Sequence, residues 1–206
     1  MESYINFLRR GKKHVLKIIT VGDPAVGKTS LLRRYTTGQF SEDYSPTLGV
    51  NFLVEEIIIK EKESNKKITV HLQLWDIAGH SRFASFKQWY FQGTHGVFLI
   101  FDLTRLYTLK NLEAWKKDIL DFVSPERLQN NFILLANKTD LNRKVSTSQL
   151  KSAERHLNVN KTYETSAKTG ENVEESFKHL AQLVLTRNLP NIEEIRFKRN
   201  NKKKTS

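Results

Sequence analysis

The stretch Gly22-Asp-Pro-Ala-Val-Gly27-Lys28-Thr29 decides how the rest of this 206-residue chain is interpreted. It fits the pattern G-x-x-x-x-G-K-[ST], follows a short apolar run typical of a buried strand, and begins a segment with helical spacing. In this pattern the glycines let backbone N–H groups turn toward phosphate, and the helix N-terminus adds partial positive charge. We expect Lys28 to reach the β- and γ-phosphates of a nucleotide and Thr29 to ligate Mg²⁺.

Segments typical of strands and helices alternate on both sides of this loop. Apolar or β-branched runs predict six strands, and helical periodicity predicts the segments between them. The alternation predicts an α/β fold, in which a mostly parallel six-stranded sheet carries helices on both faces. The predicted strands are 15–21, 50–60, 67–75, 96–102, 132–137 and 161–165, and the predicted helices are 27–38, 81–92, 109–123, 147–157 and 173–187.

The charge of the chain is concentrated at its ends. Of the net charge of +12, residues 1–13 carry +3 and residues 187–206 carry +5. We therefore expect one folded domain over 14–187, a basic N-terminal extension over 1–13, and a basic, disordered tail over 188–206. Basic ends on a mildly charged globule are more typical of solubilising or membrane-surface segments than of a nucleic-acid site. No nucleic-acid partner is expected.

The composition excludes several kinds of chemistry. The chain contains no cysteine, which excludes disulfides, thiolate metal sites and a cysteine nucleophile within it, and leaves no residue for prenylation or palmitoylation. Its longest apolar runs are of strand length, and its N-terminus lacks the pattern of a signal peptide. We expect a cytoplasmic monomer, with peripheral membrane contact through the basic ends as an open alternative.

The stretch Asn137-Lys138-Thr139-Asp140 indicates which nucleotide is bound. It follows an apolar strand, at the rim where ligands bind in parallel sheets. A carboxylate at Asp140 can accept hydrogen bonds from N1–H and the 2-amino group of guanine, and adenine has no matching donors. Asn137 can bond guanine N7 and the loop backbone, while Lys138 can lie along the base plane. These residues indicate that the chain binds GTP in preference to ATP. A P-loop ATPase or nucleotide kinase is the alternative interpretation.

One further stretch and three single residues complete the expected site. Thr165-Ser166-Ala167-Lys168 follows the last strand, and the backbone N–H of Ala167 can bond guanine O6. Asp76 ends a strand and can hold Mg²⁺ through water, while Gly79 allows close approach to a γ-phosphate. Thr47 lies in a polar loop and can complete the Mg²⁺ shell when a third phosphate is present.

Taken together, these motifs resemble those of the Ras-like small GTPases over residues 14–187, and within that superfamily they resemble the Rabs. Thr47-Leu-Gly-Val-Asn-Phe52, Leu72-Gln-Leu-Trp75-Asp76 and Asn111-Leu-Glu-Ala-Trp115 are similar to Rab stretches, and Trp89-Tyr90-Phe91-Gln92-Gly93 stands where Rabs carry a tyrosine pair. The resemblance implies a P-loop NTPase-type G domain, a GTP/GDP-binding switch with Mg²⁺, and GTP hydrolysis.

The resemblance also implies a set of site residues. Phe40 would stack on guanine, and the catalytic set would be His80, Lys28, Thr47 and Gly79. The metal set would be Thr29, Thr47 and, through water, Asp76. The residues implied to bind nucleotide are Gly22, Asp23, Ala25, Val26, Gly27, Lys28, Thr29, Ser30, Phe40, Tyr44, Thr47, Gly79, Asn137, Lys138, Asp140, Ser166, Ala167 and Lys168.

The implied partners are effector, exchange-factor and GTPase-activating proteins. Phe52, Trp75 and Tyr90 correspond to the aromatic triad by which Rab effectors sense the bound nucleotide. Simple core packing of these three rings is the alternative interpretation.

Three features depart from the family pattern. His80 stands where the family carries the glutamine that orients the attacking water, and imidazole can orient water through either nitrogen or become cationic. Pro24 and Ala25 replace flexible loop residues, and proline fixes φ and removes a donor. The chain ends without the cysteines that Rabs prenylate. We expect slow, partner-dependent hydrolysis and a trafficking role, and a GTP-bound scaffold with negligible hydrolysis is the alternative.

Overall fold

A central sheet organises the computed structural model, which describes residues 14–42, 47, 49–63, 66–79, 87–128, 130–189 and 191–197. Each predicted strand is present close to its expected position, and one further strand follows the last helix. The strands are β1 His14–Val21, β2 Val50–Glu61, β3 Lys67–Ile77, β4 Gly96–Asp102, β5 Phe132–Asn137, β6 Lys161–Thr165 and β7 Ile192–Phe197.

The sheet has the strand order β6-β5-β4-β1-β3-β2-β7. The five strands from β6 to β3 are parallel, whereas β2 is antiparallel to β3 and β7 is antiparallel to β2. The carboxyl ends of the parallel strands therefore meet at one edge of the sheet, where ligands bind in folds of this kind. β4 is buried along its whole length, because a central parallel strand is covered on both faces.

Helices cover both faces of the sheet. Leu31 of the first helix and Phe177 of the last one belong to one apolar core, while Leu109 and Ile119 belong to the core on the opposite face. Gly38 ends the first helix with φ 70°, a left-handed conformation that glycine adopts readily. The helices are α1 Lys28–Thr37, α2 Lys87–Phe91, α3 Leu106–Lys110, α4 Leu112–Leu120, α5 Pro125–Leu128, α6 Thr147–His156 and α7 Val173–Asn188.

The C-terminal segment differs from its prediction. Part of the expected tail at 188–206 is folded, because Ile192–Phe197 forms β7 and adds a seventh strand to the predicted six. Ile192, Ile195 and Phe197 pack against the core that contains Ile57 and Ile59 of β2. The signal was weak because the three apolar residues are interspersed with three charged ones, next to a strongly basic stretch. Residues 1–13 and 198–206 lie outside the described residues.

Two helical predictions are also revised. The segment predicted as a helix over 109–123 is divided between two short helices, α3 and α4, that meet at Asn111, and the second of them ends at Leu120. Of the helix predicted over 81–92, the described part forms α2, and 81–86 lie outside the described residues. Within the part of the chain that is described, no helix combines the length and apolar character needed to cross a membrane.

Candidate functional site

A cavity of about 530 Å³ opens at the carboxyl edge of the sheet, between the loops that follow β1, β5 and β6. Most of the predicted nucleotide-binding residues line it, and Pro24, Arg33, Ser41, Glu42 and Leu141 line it as well. The predicted residues on the wall are Ala25, Gly27, Lys28, Thr29, Ser30, Phe40, Thr47, Gly79, Asn137, Lys138, Asp140, Ala167 and Lys168.

The loop between β1 and α1 folds around the ammonium group of Lys28. Lys28 Nζ donates to the carbonyl oxygens of Gly22 at 2.8 Å and Asp23 at 2.9 Å. A Cβ on Gly27, which has φ 100°, would lie 2.3 Å from Nδ2 of Asn137, so only glycine fits there. Ala25 adopts φ 59° without being glycine. The loop therefore holds a lysine at a fixed place at the start of a helix.

The charge of Lys28 is only partly balanced by the protein. Burial lowers its pKa to about 8, although the charges of Asp76 and Asp23 act in the opposite direction. A lysine that is only 6% exposed and whose charge is incompletely compensated favours the binding of an anion. A phosphate group at the start of α1 would satisfy this requirement.

Three side-chain oxygens meet beside this lysine. Thr29 Oγ1 donates to Asp76 Oδ2 at 2.5 Å and lies 2.8 Å from Thr47 Oγ1, which itself donates to Asp76 Oδ2 at 3.5 Å. Burial raises the pKa of Asp76, while hydrogen bonds from Thr29 and the charge of Lys28 oppose that shift. Mg²⁺ prefers hard oxygen ligands, with one or two carboxylates together with water and substrate phosphates. This donor set fits Mg²⁺.

Gly79 lines the cavity next to the loop between β1 and α1. A Cβ at this position would lie 2.6 Å from the backbone nitrogen of Pro24 and 2.9 Å from the carbonyl oxygen of Gly22. No side chain can be accommodated there without moving the loop backbone. The chain after β3 therefore lies directly against the loop that holds Lys28.

The loops after β5 and β6 are joined to the β1–α1 loop by Asn137. Its Nδ2 donates to the carbonyl of Val26 at 2.8 Å, and its Oδ1 accepts bonds of 3.3 Å from Thr165 Oγ1 and from the backbone N–H of Ala167. Ser166 Oγ donates to Asp140 Oδ1 at 2.6 Å, which orients the carboxylate that lines the cavity. Asn137 thus fixes the position of the loop around Lys28 relative to the loops that follow β5 and β6.

Asp102 is a site residue that the sequence analysis missed. This carboxylate, at the end of β4, is 1% exposed and accepts hydrogen bonds from Lys138 Nζ at 2.8 Å and Arg105 Nε at 2.9 Å. Arg105 Nη2 also donates to the carbonyl of Pro24 at 3.3 Å. Burial raises the pKa of Asp102, but the bonds from Lys138 and Thr104 hold it below its ordinary value. Its position at the end of a buried strand was the available signal.

Several predicted residues stand behind the cavity instead of lining it. The carboxylate of Asp23 faces α4, where Oδ2 accepts from Asn111 Nδ2 at 2.7 Å and Oδ1 from Trp115 Nε1 at 3.1 Å. Its partners come from a distant segment, which local sequence does not reveal. The other predicted residues off the wall are Gly22, Val26, Asp76 and Ser166, while Tyr44 and His80 lie outside the described residues.

Two of the three predicted aromatic residues are in contact. Phe52 on β2 stands opposite Trp75 on β3, and their rings stack with centroids 5.4 Å apart. Phe52 is 43% exposed, whereas Trp75 and Tyr90 are partly buried against the core. Lys17 Nζ lies 4.0 Å from the centroid of the Trp75 ring. The Phe52 ring is therefore exposed at the surface, whereas the Trp75 and Tyr90 rings pack against the core.

Comparisons with known proteins point to one family. A sequence model of the Ras family matches residues 17–186. The chain is 38% identical over 176 residues to "Ras-related protein Rab7" of Drosophila melanogaster, covering 84% of this chain and 82% of that protein. It is 36% identical over 178 residues to "Ypt/Rab-type GTPase ypt7" of Schizosaccharomyces pombe, covering 84% of each. It is 37% identical to "Ras-related protein Rab-32B" of Dictyostelium discoideum, over 84% of this chain and 66% of that one.

Proposed function

This chain belongs to the Ras family as a Rab-like GTP hydrolase, and from that membership we propose that it is a guanine-nucleotide switch with slow hydrolysis of its own. The observation that carries the proposal is the single cavity in which Asp140, Lys28 and the oxygens of Thr29 and Thr47 all take part. Base recognition and phosphate recognition are thus built into one pocket.

Recognition of guanine is assigned to Asp140. Ser166 holds one carboxylate oxygen, so the carboxylate presents a fixed edge to the N1–H and 2-amino donors of guanine. A ligand that lacks those donors leaves a carboxylate unpaired, and sites of this kind reject such a ligand by about 10⁴-fold or more. Phe40 contributes an apolar wall to the same cavity.

Phosphate recognition is assigned to Lys28 and the loop around it. The ammonium group stands where charge develops as the terminal phosphoryl group is transferred to water. Mg²⁺, when bound, neutralises charge on the phosphate oxygens. Thr29 and Thr47 would hold it through their hydroxyl oxygens, and Asp76 would hold it through water. Asn137 ties the loop around Lys28 to the loop that carries Asp140.

The switch itself is assigned to the segments around Thr47 and Gly79. Thr47 bonds to Thr29 and Asp76 across 2.8 and 3.5 Å, and Gly79 lies against the loop backbone. A γ-phosphate adds partners to both segments, and its loss releases them. Effectors, exchange factors and activating proteins would read this difference on a surface that includes Phe52.

A direct test compares nucleotides. The purified chain, stripped of nucleotide and supplied with Mg²⁺, should bind GTP and GDP, and ATP at equal concentration should not displace them. Binding of neither guanine nucleotide at micromolar concentration would refute the proposal. Displacement by ATP would support a P-loop ATPase instead.

The slow hydrolysis is proposed on the strength of His80 in place of glutamine. We expect single-turnover hydrolysis on the order of 10⁻⁴ s⁻¹ or below, the scale of unassisted Ras-like proteins. The variant His80→Gln should be faster, with His80→Ala as a control that lacks a water-orienting group. Equal rates for all three proteins would contradict a role for this position. Hydrolysis below detection in each would favour the GTP-bound scaffold.

We also propose a role in vesicle trafficking, because the relatives are Rab proteins by name. Contact with an anionic membrane is supported by the basic residues at both ends of the chain, since each basic residue near such a surface contributes about 1 kcal/mol. Flotation with anionic vesicles at moderate salt tests this contact, and a protein that stays unbound contradicts it.

A further inference from the structure

Arg34 of α1 joins two loops of the cavity, although its own side chain is not on the cavity wall. Its Nε donates to the carbonyl oxygen of Ala167 at 2.7 Å, and its Nη2 donates to the carbonyl oxygen of Lys168. Its Nη1 donates to the carbonyl oxygen of Gly38 at 2.6 Å. Because a guanidinium group carries its donors in a rigid planar fork, these bonds fix the three carbonyl groups relative to one another.

The first of the two loops is Ser166–Lys168, which follows β6 and which we call the base loop. Two of its three residues line the cavity. The Ser166 hydroxyl accepts hydrogen bonds from the backbone N–H groups of Lys168 at 3.1 Å and Thr169 at 3.0 Å. Those bonds use N–H groups, whereas Arg34 binds carbonyl groups. Local bonds therefore shape the base loop, and Arg34 holds it against α1.

The second loop is Gly38–Glu42, which follows α1 and which we call the α1 exit loop. Its last three residues, Phe40–Glu42, line the cavity. Gly38 marks the end of α1, and the last carbonyl groups of a helix need partners from outside the helical pattern. The guanidinium group of Arg34 supplies such a partner to Gly38. The same group therefore helps to set the direction in which the chain leaves α1.

An ion pair joins the same two loops at a more exposed place. Lys168 Nζ lies 2.7 Å from Oε1 of Glu42, and the two side chains are 53% and 76% exposed. Both residues line the cavity, and they stand in different loops, 126 positions apart in the chain. The base loop and the α1 exit loop are thus connected twice, by the partly buried Arg34 and by an exposed ion pair.

We propose that Arg34 is a positioning residue that slows the release of guanine nucleotide by holding the base loop against the α1 exit loop. A base bound between these loops leaves when they separate, and separation breaks the bonds from Arg34 to the base loop together with the Lys168–Glu42 ion pair. Exposed ion pairs contribute little, so Arg34 provides most of the resistance. The inference rests on the proposed function, because it takes a guanine nucleotide as the ligand of the cavity.

The release rate of GDP tests the proposal on the full chain in the presence of Mg²⁺. A fluorescent GDP analogue is bound, excess unlabelled GDP is added, and the decay of the signal gives the rate. Arg34→Lys keeps the positive charge but replaces the fork by a single ammonium group. We expect roughly tenfold faster release, because hydrogen bonds from a charged donor are stronger than those between neutral groups. An unchanged rate would overturn the proposal.

The matched control is Arg143→Lys. Arg143 also donates through Nε to a backbone carbonyl, that of Val145, and neither residue lines the cavity. This control should release GDP at the natural rate. Equally fast release in both variants would overturn the proposal, because it would assign the effect to a general loosening of the fold.

A covalent bridge between the loops provides a measurement that a merely structural role of Arg34 would not move. The natural chain has no cysteine, so the double variant Glu42→Cys with Lys168→Cys offers one pair of thiols, which a short bismaleimide joins after GDP has been bound. We expect release to be about tenfold slower than from the same variant before bridging, because a short linker keeps the two loops at a high effective concentration. The two single-cysteine variants, treated alike, should keep their own rates. Equal release with and without the bridge would overturn the proposal, even if Arg34→Lys does not fold.

The outcomes separate this inference from the proposed function. A natural chain that binds no GDP would refute both. A natural chain that binds GDP, and whose release rate changes neither in Arg34→Lys nor on bridging, would refute only the role of Arg34.

Discussion

The substitution Asp102→Asn should lower the stability of the protein and speed the release of GDP, although Asp102 does not line the cavity. Asp102 is 1% exposed and binds Lys138 at 2.8 Å and Arg105 at 2.9 Å, and each of these cationic side chains is 29% exposed. Removing one partner of a fully buried ion pair costs about 3–5 kcal/mol. Because water reaches the two cations, we expect the lower end, a loss of about 3 kcal/mol in the free energy of unfolding.

Chemical unfolding measures this loss, at one fixed concentration of GDP and Mg²⁺ because ligands stabilise the folded state. The matched control is Glu164→Gln, which breaks the exposed ion pair with Arg143 at 3.0 Å and should cost less than about 1 kcal/mol. The release of GDP should also be about tenfold faster in Asp102→Asn, if the orientation of Lys138 contributes about 1.4 kcal/mol to binding. The control should release GDP at the natural rate.

A double-mutant cycle with Arg105→Gln separates the two cations. If Asp102 and Arg105 act as one unit, the two substitutions together should cost less than the sum of their separate costs, with a coupling of about 1–3 kcal/mol. The reasoning would be refuted if Asp102→Asn cost no more than Glu164→Gln, or if its effects on stability were fully additive with those of Arg105→Gln and GDP release were unchanged.

Three further predictions concern single residues. Asp140→Asn should lose most of the expected preference of about 10⁴-fold for GTP over ATP, measured by competition, and an unchanged preference would contradict the assignment of the base site. Ala25→Gly should raise the free energy of unfolding by up to about 1 kcal/mol, because φ 59° strains an L-residue; urea titration checks the sign. Burial and the charges of Arg127 and Lys17 lower the pKa of His95 from 6.5 to about 4. The unfolded chain therefore binds more protons between these values, and stability should fall as pH drops from 6.5 to 4. His95→Gln should flatten this dependence in urea titrations at pH 7 and 5.

The parts of the site that the sequence predicted are those in which spacing and chemistry are coupled. Lys28 and Thr29 must follow Gly27 for the loop to hold phosphate at a helix start, and Asp140 must follow Asn137 at a strand end. The mostly parallel sheet with helices on both faces also followed from the alternation of strand and helix segments along the chain. Such signals lie within short stretches of sequence, so they can be recognised without knowledge of the tertiary contacts.

The parts that sequence did not predict depend on contacts between distant segments. The partners of Asp23 lie about ninety residues further along the chain, and the role of Asp102 depends on Lys138, which follows the neighbouring strand β5. β7 was missed because its apolar residues are covered only through contact with the core that contains Ile57 and Ile59 of β2. None of these pairs is visible in periodicity or composition.

The hydrogen bond from the Trp115 indole to Asp23 gives the molecule a native optical reporter. The chain has three tryptophans, and this one is attached to the loop that holds Lys28. A rearrangement of that loop would stretch or break the bond and change the electrostatic surroundings of the indole, and with them the colour of its emission. Replacing the exposed Trp89 and the ring-stacked Trp75 by phenylalanine would leave Trp115 as a single fluorophore. Nucleotide exchange could then be followed in real time on protein that carries no dye.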